Sequence, residues 1–260
     1  MKQILLVVAY DGTRYCGWQM QPNGITVEEV LNKALRDFLK EEVYVVGASR
    51  TDSGVHARGN VCVFRSETRI AADKIAFALN NWLPDDIRIR GSLEVPYDFH
   101  PRHGRIHKTY EYRIFNHTFP DPTCRLNSHF MYLPLDIEAM REAAAYLVGR
   151  HDFKSFCSIK NTLENTVREI LALTIEQEGA MITFRVKGNG FLYNMVRIIV
   201  GTLIKVGLHV YPPQHVKEIL EAKDRALAGP TARACGLTLA GIEYLDEDFC
   251  QRVADPTAFR

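Results

Sequence analysis

The sequence predicts an α+β fold of two ferredoxin-like halves, each βαββαβ, whose antiparallel or mixed sheets join. The helices lie on one side, with a central cleft between the halves. Three observations predict it. Short β-branched and aromatic runs alternate with helically spaced stretches, in the same order in each half. The 260 residues, 47% of them hydrophobic, suffice for one large or two small cores. The longest apolar stretch, Met195 to Leu208, carries Arg197 and Lys205, so no segment reads as a membrane span. The halves are expected at 1–105 and 106–245, with an acidic tail at 246–260. No repeat is visible in the residues themselves, so the duplication is one of architecture.

In the first half, Ile4 to Ala9 is a buried-strand run. It resembles a short signal segment, but Asp11-Gly12-Thr13-Arg14 follows at once with no cleavage site. Thr26 and Glu29 form a capping box, and Val30, Leu31, Ala34, Leu35, Phe38 and Leu39 keep helical spacing behind it. Val43 to Val46 and Val61 to Phe64 read as strands around a polar loop, Gly47 to His56. Ile75, Ala78, Leu79 and Trp82 predict a helix stopped by Pro84, and Ile87 to Arg90 alternates as a strand.

In the second half, Tyr110 to Ile114 alternates as a strand. Met140, Ala143, Ala144, Leu147 and Val148 mark a helix ended by Gly149. Ile170 to Ile175 and Met181 to Val186 form a hairpin around Glu178-Gly179. Phe191 to Val206 reads as a helix stopped by Gly207. A shorter helix follows Pro212-Pro213, and Leu237 to Ile242 is the closing strand.

Composition sets bounds on chemistry. The six cysteines are scattered with no Cys-x-x-Cys pair, which points to a reduced, cytoplasmic setting without disulfides. A net charge of +1 does not suit a tail-driven nucleic-acid binder. Ser49 and Ser53 lack the Gly-x-Ser-x-Gly elbow of a hydrolase. Gly188-Asn189-Gly190 lacks the third glycine of a dinucleotide site, and no phosphate loop is present. His100, His103 and His107 lie close together but not on a helix, so a metal site is not predicted.

The loop from Gly47 to His56 is the most informative stretch. It sets one carboxylate, Asp52, among Arg50, Thr51, Ser53 and His56. A carboxylate beside an arginine stays ionised and can act as nucleophile, base or electrostatic stabiliser. The plainer alternative is a turn, which Asp, Ser and Gly also favour. Tyr110 and Tyr112 share one face of their strand, as core or as a platform for a stacked base. Arg102, Arg105, Lys108 and Arg113 interleave with them. Arg197 stands within an apolar helix, where it snorkels or meets a buried carboxylate such as Asp52.

Ser49-Arg50-Thr51-Asp52-Ser53-Gly54-Val55-His56-Ala57 resembles the catalytic loop of the TruA family of tRNA pseudouridine synthases. Tyr10-Asp11-Gly12-Thr13 with Gly17-Trp18-Gln19 and Gln21 resembles that family's N-terminal signature. Lys108-Thr109-Tyr110-Glu111-Tyr112 resembles its tyrosine strand. The segment His151 to Phe156, Phe191-Leu192 with Met195-Val196-Arg197, and Thr231-Ala232 with Gly236-Leu237 follow in family order. Ser49 and Ser53 depart from it, standing where glycine and alanine are usual. If that glycine needs positive φ, Ser49 is strained.

The resemblance implies that Asp52 is the catalytic aspartate and that Tyr110 stacks on the target uracil. It implies that Arg50 helps extrude or replace the flipped nucleotide, that Arg197 pairs with Asp52, and that Leu237 packs near the base. It further implies a cofactor-free, metal-free isomerase acting at uridines 38, 39 and 40 of the tRNA anticodon stem-loop. It implies tRNA rather than DNA as the partner, held in the central cleft by a homodimer. Two other classes stay open at this point. One is a non-catalytic RNA-binding protein; the other is a small-molecule enzyme using Asp52, whose affinity for tRNA would show no salt dependence.

The near-zero total charge divides unevenly. Residues 50–69 carry a net +2, residues 100–133 a net +3 and residues 188–240 a net +3, whereas 241–260 carries −3. Positive charge therefore accompanies the loop, the tyrosine strand and the Arg197 helix, as a polyanion partner requires if the fold gathers these stretches.

Overall fold

The computed structural model describes residues 1–158 and 165–245, so the expected acidic tail at 246–260 lies outside the described residues. The fold is α+β and forms two compact units. Among the described residues, one holds Met1–Ile106 and 239–245; the other lies within His107–Thr238.

Unit 1 runs β1 (Lys2–Tyr10), α1 (Val27–Leu39), β2 (Val46–Gly47), β3 (His56–Ser66), α2 (Ala72–Leu79) and β4 (Ile87–Val95). β1 is central and antiparallel to both β3 and β4, and β2 pairs antiparallel with β3. Ile4, Leu5, Leu6 and Val8 are wholly buried, which explains why this strand reads as a continuous apolar run. α1 begins as its capping box requires, with Thr26 Oγ1 accepting from the Glu29 amide at 3.3 Å. Leu31 and Leu35 form its fully buried face.

Two expectations in unit 1 need correction. The strand expected at Val43–Val46 reduces to Val46–Gly47. Val43 and Val45 are buried, but the Val45 amide donates to Asn32 Oδ1 of α1 at 2.9 Å, so a helix side chain takes a bond that a strand would have supplied. α2 ends at Leu79, before Trp82. Asn80 turns its side chain onto β4, donating to Ile89 O at 2.9 Å and accepting from Ile89 N at 2.8 Å. Trp82 is left half exposed.

Unit 2 runs β5 (Ile106–Asn116), β6 (His129–Met131), α3 (Ile137–Ala145), β7 (Gly149–Asp152), β8 (Val167–Glu178), β9 (Met181–Gly188), α4 (Met195–Gly207) and α5 (His215–Ala222). β5, β9, β8 and β7 are successive antiparallel neighbours, and β6 lies parallel to β5. The hairpin forms around Glu178-Gly179 as predicted. β6 and β7 are three and four residues long, too short to show a period. α3 stops at Ala145, and Gly149 opens β7 rather than ending the helix. α4 starts at Met195, not Phe191, because Asn194 takes a left-handed backbone at φ 61°. At its other end the left-handed residue is His209, not Gly207. Ile198, Ile199, Val200, Leu203 and Val206 are fully buried, as suits a helix apolar nearly all round.

The last strand, β10 (Leu237–Tyr244), was expected within the second half. From Leu239 it belongs to unit 1, where it is a neighbour of β3.

Candidate active site

The loop between β2 and β3 is held from three sides of unit 1. The β2–β3 ladder pairs Val46 with Val63 and Gly47 with Cys62, and the Ala48 amide donates to Val61 O at 2.7 Å. At the next residue a side chain replaces the backbone. Asn60 Oδ1 accepts from Ser49 N at 3.2 Å, and Asn60 Nδ2 donates to Ser49 O at 3.1 Å. Two residues on, Thr51 Oγ1 meets the Tyr10 hydroxyl at 2.7 Å, and Thr51 O accepts from Trp18 N at 3.1 Å. The loop then turns, with the Val55 amide donating to Asp52 O at 3.1 Å.

The segment from Gly12 to Trp18 forms the loop's wall. Gly17 sits at φ +85°, and a Cβ there would stand 2.6 Å from Thr51 O. A Cβ on Gly12 would stand 2.0 Å from Val55 O. Both positions need glycine, the first for its backbone and the second for close approach. The Gly54 amide and Ser53 Oγ both donate to Tyr15 O, at 3.2 and 3.3 Å. His56 Nδ1 accepts from the Gly12 amide at 3.1 Å. The outcome is an alternation: Arg50 exposed, Thr51 buried, Asp52 half-buried, Ser53 exposed.

Ser49 does not adopt the left-handed backbone that would strain it. Its difficulty lies in the side chain. Ser49 Oγ and Trp18 Nε1 are buried without a hydrogen-bond partner, which costs free energy at each. Charge near the loop is positive. Arg102 Nε donates to Gly47 O at 2.6 Å, and its guanidinium is held below its ordinary pKa by burial and by the charge of Arg50. Two of the basic stretches thus meet here. His100 and His103 stack at 3.9 Å between centroids, and burial, with His103 and Arg102 nearby, lowers the His100 pKa.

Tyr110, Arg197 and Leu237 belong to unit 2. The two tyrosines of β5 have separate fates. Tyr112 is fully buried against Phe184 and His129, and its hydroxyl donates to Arg233 O at 2.8 Å. Tyr110 is half-buried, edge-on to Phe191 at 5.1 Å. The core reading thus holds for Tyr112, whereas Tyr110 keeps part of its ring exposed. Between them Glu111, 8% exposed, pairs with Arg185 at 2.9 Å.

Arg197 is half-buried and reaches the chain that leads into β10. Its Nε donates to Ala232 O at 2.7 Å and an Nη to Asn194 Oδ1 at 2.8 Å, while the Ala232 amide donates to Arg197 O at 3.1 Å. A Cβ on Gly236 would stand 2.6 Å from the Tyr112 ring. Residues 232–236 therefore tie the Arg197 helix to the tyrosine strand and deliver Leu237, 5% exposed, at their end. The family-like segment from His151 to Phe156 is structural: Phe153, Ser155 and Phe156 are fully buried, and Ser155 Oγ donates to Ile219 O of α5 at 2.6 Å.

The sequence reading missed Asn60 and the hydroxyl relay through Tyr10. A signal existed: an asparagine directly before an apolar β-branched run is out of place unless its amide has partners.

A family model described as tRNA pseudouridine synthase matches residues 6–103 and 143–245, on either side of the tyrosine strand. Proteins named tRNA pseudouridine synthase A are similar along almost the whole chain. The one from Thermoanaerobacter sp. (strain X514) is 47% identical, the one from Brevibacillus brevis 46% and the one from Acetivibrio thermocellus 43%, each covering 94% of this chain and 100% of its own length. Among solved structures, an H/ACA ribonucleoprotein bound to a substrate RNA containing 2'-deoxyuridine aligns over 91% of this chain and 45% of its own. It does so at 12% identity and a TM-score of 0.33, a likeness too slight to argue from. With its loop and flanking segments in place and these matches along its length, the chain belongs to the tRNA pseudouridine synthase family.

Proposed function

We propose that this chain isomerises uridine to pseudouridine at positions 38, 39 and 40 of the tRNA anticodon stem-loop, with Asp52 as its catalytic carboxylate. The observation that carries this reading is the half-buried Asp52, one residue after a pinned Thr51 and flanked by cationic Arg50. The reaction breaks the N1–C1′ bond, turns the uracil and forms a C5–C1′ bond. No electron or group is gained or lost, so the step calls for no redox partner or donor. Breaking the glycosidic bond develops positive charge on the sugar, which an ionised carboxylate stabilises. Nucleophilic attack and removal of a sugar proton are both open to Asp52.

The other residues take their roles from what that chemistry needs. A uridine inside a stem must be flipped out, at about a few kcal/mol, and the exposed Arg50 suits the space it leaves. The half-buried ring of Tyr110 and the side chain of Leu237 hold a detached uracil without fixing its rotation. In this reading Arg197 is the cation assigned to favour the ionised form of the Asp52 carboxylate. The units are ferredoxin-like halves, a plan that the order β4-β1-β3-β2 of unit 1 suits. The enzyme works as a cytoplasmic homodimer, with one tRNA touching both subunits.

The test is release of tritium from tRNA labelled at uridine C5, with pseudouridines mapped in tRNA from cells with and without the protein. Wild type releases label; Asp52→Ala releases none and binds tRNA within about threefold of wild type. Normal release by Asp52→Ala would overturn the assignment. Salt-dependent binding with no pseudouridine formed by wild type would favour an RNA-binding protein instead.

A further inference from the structure

We propose that Asn60 is a positioning residue for Asp52, acting through Ser49 and, by way of Tyr10, through Thr51. The inference rests on Asp52 being the catalytic carboxylate.

Asn60 is fully buried on β3, directly before Val61, Cys62, Val63 and Phe64, all of them buried. An amide in such a place is costly unless its donors and acceptors are met. Its partners are Ser49 N at 3.2 Å, Ser49 O at 3.1 Å, Val61 N at 3.0 Å and the Tyr10 hydroxyl at 3.4 Å. Two of the four lie on the main chain of Ser49, where the next backbone rung of the β2–β3 ladder would fall. A backbone rung there would hold the following residues extended along β3. The side-chain rung satisfies both backbone polar groups of Ser49 and lets the chain leave the sheet at Arg50.

The second arm of the amide reaches Thr51. The Tyr10 hydroxyl accepts from Asn60 Nδ2 at 3.4 Å and shares a hydrogen bond with Thr51 Oγ1 at 2.7 Å, in which either oxygen can donate. Asn60, Tyr10 and Thr51 thus form one hydrogen-bonded chain, whose links strengthen one another. One amide therefore pins both neighbours of Arg50, and Asp52 follows the second pin directly. A carboxylate so placed is sensitive to small displacements, since a shift of about 1 Å in a reacting group costs on the order of 100-fold in rate.

The experiment compares Asn60→Asp, Asn60→Ala and Tyr10→Phe with wild type in turnover, tRNA affinity and melting temperature, assayed well below melting. Asn60→Asp keeps the size but offers no donor to Ser49 O or Tyr10. Its kcat falls about 10- to 100-fold, with KM and tRNA Kd within about threefold. Tyr10→Phe loses one hydroxyl and falls about 5- to 10-fold in kcat, and the double variant falls by less than the product of the two. A kcat per folded molecule equal to wild type, or a loss confined to KM, overturns the proposal. If the Asn60 variants do not fold, Tyr10→Phe decides by the same criteria. Crystal structures of wild type and Tyr10→Phe supply a readout independent of turnover. The proposal expects the Asp52 carboxylate to move by about 0.5 Å or more; an unmoved loop overturns it. Wild type that forms no pseudouridine counts against the function alone.

Discussion

In unit 1, Arg50 and Asp52 sit on a loop pinned by buried amides, hydroxyls and glycines. In unit 2, Tyr110, Arg197 and Leu237 ride on a strand, a helix and the chain entering the last strand. The loop is fixed by short polar bonds from Asn60, Tyr10 and Trp18 and by close approach at Gly12 and Gly17. Tyr110 and Arg197 are placed by a sheet register and by a helix with five fully buried apolar side chains. Under the proposed function the difference follows from what each is to do. A reacting carboxylate needs its position held closely and room around it, so it stands outside the regular ladder. A ring that supports a base needs only a stable plane, which a packed strand supplies.

The comparison breaks first at Gly17. Gly17→Ala puts a Cβ 2.6 Å from Thr51 O at a left-handed φ. Turnover is expected to fall about 100-fold or more, with about 2 kcal/mol lost from stability. Label release and a denaturant melt check both, and normal turnover would mean that the loop tolerates being pushed. Next comes Tyr110. Tyr110→Phe keeps the ring and is expected to lower kcat far less than Tyr110→Ala, by about tenfold or more between the two. Equal losses would assign the hydroxyl a part in proton transfer.

The smallest effect sharpens the contrast from the side of stability. Ser49→Ala removes a buried hydroxyl without a partner while keeping the backbone that Asn60 holds. Stability is expected to rise by about 1 kcal/mol, which lifts the melting temperature by about 2–4 °C. A lower melting temperature would reveal a partner for that hydroxyl.

The elements legible in the residues were those with strong periodicity or a strong local signal. β1 was readable as an unbroken apolar run and α1 from Thr26 and Glu29. Asp52 stood out as the single carboxylate in a polar loop between strands. Other features depended on partners distant in sequence. Val43 and Val45 have the residue types of a strand, but Asn32 takes the amide. Tyr110 and Tyr112 are alike in the chain and differ in the fold, because Phe184, His129 and Arg233 close over only one of them.

The sequence by itself determined the α+β class, the loop that bears Asp52 and the resemblance to a family. These live in local pattern and residue identity, which need no partner to be read. Only the tertiary structure decided that Asn60 and Tyr10 hold that loop, and that Arg197 grips the chain at Ala232. It also brought Arg50 and Arg102 together from two of the basic stretches. Hydrogen bonds and charge pairs form between groups tens of residues apart, and their existence follows from where the backbone carries them.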